Sequence, residues 1–250
     1  MAKKFYYDSV DLLDATITAG TQSSSTFSAS ASAITNEHRI IDQSIGQAVT
    51  SFDDEDVIRI DLGSAKTVSN ILYHNNSTSD ETDDLIIYYN SSATNIGTQW
   101  ATNSISPPGW DISTASSQTA QYWYIRSSSG TFSGFTEVIL GVPLEFENEP
   151  DIGIATQEIF ATDLNTSLGG VEYANKRHEP KTTFQLNFSN ISQTFKNNLV
   201  SFEQDVTNFK KFVYYDDSSY HYVRLDSPIK FTEVAFERFS ASLKLREQLS

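Results

Sequence analysis

The 250-residue chain has no cysteine and one methionine. Thiol nucleophiles, cysteine-ligated zinc and disulfide frameworks are thereby excluded, while the redox compartment stays open. Cations are scarce: 17 Lys and Arg stand against 32 Asp and Glu, a formal net charge of -15 at pH 7. That balance repels a phosphate backbone, and the densest basic stretch, Lys176-Arg177-His178 with Lys181, is interrupted by Glu179 and preceded by Glu172. Nucleic acid is therefore not an expected partner. No apolar run approaches the ~20 residues that span a bilayer. Met1–Asp8 has lysines without an apolar segment behind them, so neither membrane insertion nor an export signal is expected, and synthesis in a cytoplasm is.

What is present is alternation. In Val57–Gly63, Ile58, Ile60 and Leu62 fall on one face and Val57, Arg59 and Asp61 on the other, which is the pattern of a half-buried strand. A turn at Ser64–Thr67 and a second strand from Val68 to Tyr73 follow. Further strands are expected at Asp84–Tyr89, Gln121–Arg126 and Glu137–Val142, the last with Val138, Leu140 and Val142 on one side. Gly20–Ser32 is almost entirely Ser, Thr and Ala and reads as an extended loop or ragged strand, with disorder as the alternative for part of it. Pro143 and the acidic run Leu144–Asp151 mark a boundary, giving domains 1–143 and 144–250.

The rear part has a different pattern. Phe184, Leu186 and Phe188 alternate with polar residues. Ile191, Phe195, Leu199, Phe202 and Val206 then recur every three or four positions, which predicts an amphipathic helix capped by Ser189 or Asn190. A hairpin follows, from Phe209 to Tyr215 and from Tyr220 to Leu225, turning at Asp216–Ser219. Ile229–Leu245 supplies at least one further strand. The last strand carries Ala241, Leu243 and Leu245 on one face and a basic outer face with Lys244 and Arg246.

Through Val57–Gly63, Gln121–Arg126 and Glu137–Gly141, residues 5–142 resemble a discoidin or galactose-binding-like β-sandwich, a jelly roll. The stretch Ile41–Phe52 lacks the tryptophan that members often carry before the Val-Asp-Leu-Gly strand, and the terminal cysteine pair of the animal members is absent. Through Gly169–Tyr173, Arg177, the Phe184 strand, the single helix, the Phe209–Leu225 hairpin and the ending Ser242–Leu249, the rear part resembles assembly domains of tail proteins from long-tailed bacteriophages. The two resemblances together imply a mainly β, non-enzymatic virion protein of the tail tip or baseplate region. Its implied partners are copies of itself, other tail proteins and a host-surface glycan met by the outward sandwich. A free carbohydrate-binding lectin is the alternative.

Galactose-binding-like folds that take sugar stack it on an aromatic side chain beside polar groups. Trp110, after Pro107-Pro108-Gly109, and Trp100 are the candidate platforms, whereas Trp123 lies within a strand and reads as core. Phe209, Phe212, Tyr214, Tyr220, Tyr222, Phe231 and Phe236 are the candidate assembly surface, with ordinary core as the competing reading. The clusters Asp53–Asp56 and Asp80–Asp84 offer oxygens of the kind calcium takes, but neither has the Asp-x-Asp-x-Asp-Gly spacing of a dedicated loop, and solvated charge is the plainer reading. His38, His74, His178 and His221 show no metal spacing. No catalytic residue, metal or cofactor is assigned.

Overall fold

A computed structural model of the chain describes residues 3–29, 34–49, 56–76, 84–104, 108–128, 134–151, 154–167, 170, 172–207 and 209–248. The chain divides into two units, a front unit of residues 6–143 and a rear unit built from residues 1–5 together with 144–249. Both are mainly β, as the alternation predicts, and the strands pair antiparallel throughout the described ladders.

The first strand, β1 (Lys4–Tyr6), contributes its first two residues to the rear unit and not to a 1–143 domain. The cause is Phe5. Its fully buried ring sits among Phe146, Phe202, Phe212 and Tyr214, with ring centroids 4.8, 4.9, 5.1 and 5.7 Å away. The front unit is thus an insertion between two segments of the rear one.

The front unit comprises β2 (Thr16–Ser23), β3 (Thr26–Ser28), β4 (Asp56–Asn75), β5 (Asp84–Asn90), β6 (Thr98–Ser104), β7 (Gly109–Ser127) and β8 (Phe135–Gly141). Their order is β3-β2-β4-β7-β5-β6, with β8 added to the far half of β4. The Ser/Thr-rich segment forms the short β2–β3 hairpin up to Ser28, and residues 30–32 lie outside the described set.

Where the alternation suggests a strand, a turn and a second strand at 57–73, β4 is one 20-residue strand with register shifts against β7 between Asp61 and Lys66 and between Val68 and Asn70. Gly63, at φ +70°, takes the left-handed conformation within the first of these shifts, where the ladder steps from Asp61–Tyr122 to Lys66–Ala120 and the strand bends. The two halves thereby form two layers over one core. Ile58, Ile60 and Leu62 from one half meet Val68, Ile71 and Tyr73 from the other, together with Trp123, Val138 and Leu140. Val142 does not join Val138 and Leu140, because β8 ends at Gly141 and Val142 is exposed.

The rear unit continues with β9 (Leu144–Glu145), β10 (Ala155–Thr166), β11 (Glu172–Ser192), α1 (Gln193–Val206), β12 (Phe212–Tyr215), β13 (Tyr220–Leu225), β14 (Lys230–Ala235) and β15 (Arg238–Glu247). The sheet runs β10-β11-β15-β13-β12-β1-β9, with β14 also on β15. The helix buries Phe195, Leu199, Phe202 and Val206 as its spacing predicts. Its cap is Ser192, not Ser189 or Asn190, since β11 runs on to Ser192, whose Oγ accepts the Phe195 N–H at 3.1 Å.

All three tryptophans lie in the front unit and the helix in the rear unit, so fluorescence and far-ultraviolet circular dichroism report the two separately. Phe5→Ala removes the ring at the centre of the rear cluster. It is expected to lower the helix-monitored denaturation transition by about 3–5 kcal/mol and leave the tryptophan transition in place. Equal loss in both signals would contradict the assignment of Phe5 to the rear unit.

Candidate functional site

Because Tyr73 points into the front core, its neighbours Leu72 and His74 point out of the β7–β4–β8 half-sheet. The register completes two cross-strand rows on this outer face: Trp110–His74–Glu137 and Ile112–Leu72–Ile139. Trp110 ends its row half-exposed, while His74 and Glu137 are buried.

The row's geometry is held from several sides. Gly109, at φ +137°, brings the chain into β7 through a conformation that a side chain would strain. Trp110 and His74 rings meet edge to face with centroids 5.1 Å apart. His74 Nδ1 lies 2.7 Å from Thr136 Oγ1, and that hydroxyl donates to the His74 carbonyl at 3.1 Å. The hydroxyl hydrogen being used, Nδ1 is the donor to Thr136 and Nε2 is left as an acceptor. Burial pushes the His74 pKa down to about 4, so the ring is neutral at pH 7.

On the opposite, inward side, the Tyr73 hydroxyl donates to Asp111 Oδ2 at 3.1 Å, and Asn103 Nδ2 donates to the Ile112 carbonyl at 2.6 Å. Burial, with the Asp111 carboxylate adding to it, pushes Tyr73 above the usual tyrosine range. These polar groups belong to the Tyr73 side of the sheet, so what the outer face presents is Trp110, braced by His74. A half-exposed aromatic face of this kind can stack a ring.

Trp100 is not a second platform. It is buried in the core, its indole N–H donates to the Ser116 carbonyl at 2.9 Å, and its ring stands perpendicular to Trp123 with centroids 5.5 Å apart. A tryptophan with its N–H satisfied and both faces covered cannot receive a ligand. Trp123 is core, as its strand position predicts.

The candidate assembly residues separate in the same way. Phe212, Tyr214 and Tyr222 are buried within the rear unit, so the core reading holds for them and they offer no contact surface. Tyr220 is half-buried against Tyr215, with centroids 4.8 Å apart, and Phe231 is half-buried. Phe209 and Phe236 are exposed, at 60% and 86%.

Of the acidic clusters, Asp53–Glu55 and Asp80–Asp83 lie outside the described residues. His221 bonds Asp216 at 3.1 Å. Burial would raise the Asp216 pKa, but hydrogen bonds from Ser218, Ser219 and His221 overcome it and hold the carboxyl well below its usual range. This is turn chemistry at the β12–β13 hairpin.

No protein-family model matches the sequence, and no curated protein matches it. Among solved structures, similarity is found to chitosan-binding module 1 of a chitosanase/glucanase from Paenibacillus sp. IK-5, at 20% identity over 52% of this chain and 97% of that one, TM-score 0.37. Module 2 of the same enzyme, in complex with chitotriose, matches at 12% identity over 52% and 98%, TM-score 0.39. A truncated AlyQ with CBM32 and alginate lyase domains matches at 18% identity over 86% of this chain and 54% of that one, TM-score 0.41. All three scores lie below 0.5, so nothing about this chain's ligand follows from them.

The buried neutral histidine makes front-unit stability pH-dependent. Unfolding frees His74 to bind a proton at its ordinary pKa of 6.5, while the folded ring resists protonation down to about 4. Stability is therefore full above pH 6.5, falls as pH drops towards 4, and levels off below, by about 3 kcal/mol in all. Tryptophan-monitored urea denaturation should show this slope, and His74→Gln should flatten it. An unchanged slope in the variant would contradict the assignment.

Proposed function

We propose that the protein is a non-enzymatic glycan-binding protein whose front unit stacks a sugar ring on Trp110. The observation that carries this is the placement of Trp110: half-exposed on a paired strand and braced edge-on by His74. A rigid, half-exposed aromatic platform meets the first requirement of sugar recognition, apolar contact with the ring face. The galactose-binding-like resemblance of residues 5–142 supports the same reading.

A second reading, compatible with the first, makes the chain a structural component of a phage tail tip or baseplate, made in a host cytoplasm and displaying the front unit outward. One observation favours it. Beyond Lys181, β11 pairs with β10 and β15 has already ended, so residues 159–166 and 172–181 form a two-stranded ribbon. The ribbon exposes Tyr173, at 57%, opposite Asn165, and Phe160, at 66%, at its other end. An isolated two-stranded ribbon is marginal in water, which suits contact with another polypeptide.

Binding of the full chain to a glycan array, followed by calorimetry on the hits, tests the first reading. A bound glycan should lose at least about tenfold in affinity in Trp110→Ala, while Trp110→Phe retains part of it. Undiminished affinity in Trp110→Ala, with circular dichroism confirming the fold, would overturn the site.

A further inference from the structure

The charge is divided unevenly between the units. Residues 6–143 hold 16 Asp and Glu against 4 Lys and Arg, a net of -12, whereas the rear unit holds 16 against 13, a net of -3. Five of the rear unit's 13 cations share one sheet face. The register places Arg224 opposite Arg246, Arg246 opposite Thr183, Lys244 opposite Gln185 and Lys230 opposite Ser242. Lys181 precedes Thr183 by two positions and so shares its face. The opposite face of β15 carries Ala241, Leu243 and Leu245 into the core.

Two carboxylates lie on or beside this basic face. Asp226 takes Lys244 at 3.1 Å and Arg246 at 2.7 Å, and Asp151, at the margin, accepts from the Ser189 hydroxyl at 2.6 Å. Five cations thus meet two acids. Lys230 is exposed, and the Lys244 side chain is 43% exposed despite its ion pair.

We propose that the basic face formed by β11, β15, β13 and β14 docks the acidic front unit of a second copy of this chain. The complementarity is internal to the sequence, because one unit of each chain carries the excess of the charge that the other unit's outer face lacks. The contact is heterologous, face to a different face, so it propagates head to tail into rings or filaments. It is electrostatically steered and weakened by salt. It extends the proposed glycan binding without depending on it, since Trp110 takes no part.

Sedimentation velocity on the full chain at about 20 mM and about 500 mM salt tests this, because screening shortens the Debye length severalfold between the two. Wild-type protein should associate with rising concentration at low salt and return to monomer at high salt. Lys181→Glu/Lys230→Glu, which breaks no ion pair described above, should weaken self-association at least about tenfold, with an unchanged denaturation profile. Because that variant keeps its acidic unit, fluorescently labelled variant should still co-sediment with wild type. A concentration-independent monomer at low salt, or a variant that associates like wild type, would overturn the proposal. So would a monomer retained on heparin through these same lysines, which would assign the face to an anionic polymer.

Discussion

The pairing of β4 with β7 is the constraint on which the front unit depends. Two strands of 20 and 19 residues stay hydrogen-bonded through both layers, kinked at Gly63 and at the register shifts. The register shifts between the halves reset the parity, from even positions inward in the first layer to odd positions inward in the second. With Ile58 and Ile60 inward in the first half and Ile71 and Tyr73 inward in the second, His74 must face out, and its cross-strand neighbours Trp110 and Glu137 face out with it. A slip of one residue would put a histidine and a glutamate into an apolar core. The site and the core are specified by the same ladder.

The rear unit is organised around aromatic contacts and not around a long ladder alone. Phe5 comes from the start of the chain and Phe146, Phe202, Phe212 and Tyr214 from its second half, and their rings meet within 4.8–5.7 Å. Burial of that size orders both ends of the inserted unit, because Phe5 and Leu144 pair directly across β1 and β9. Insertion at adjacent backbone positions costs little loop entropy, which is how a unit of net charge -12 can be hosted by one of net charge -3.

Much of this was legible in the sequence where neighbours along the chain decide the outcome. Alternation in Val57–Leu62, Phe184–Phe188 and Ala241–Leu245 located strands and their inward faces, and the three-to-four spacing from Phe195 to Val206 located the helix. What stayed hidden depends on partners far along the chain. Nothing near Ser64–Thr67 reveals that the strand continues through it, because what resumes it is the pairing of Lys66 and Thr67 with Ala120 and Thr119. Trp100 and Trp110 look alike as sequence, yet Ser116 and Trp123 close over one and His74 braces the other. His74 itself gave no signal, since its importance comes from standing opposite Trp110 and Glu137. The membership of Phe5 in the rear unit was likewise invisible, since a three-residue strand has no periodicity to read.

The three tryptophans also provide the most direct test of the central claim, that Trp110 is the accessible aromatic face of a ligand site. Acrylamide quenching of the full chain, with and without a bound glycan, measures that accessibility. The account predicts that the quenchable fraction disappears in Trp110→Phe and is protected when glycan is added to wild type. Quenching that persists in Trp110→Phe, or that no glycan alters in wild type, would contradict it.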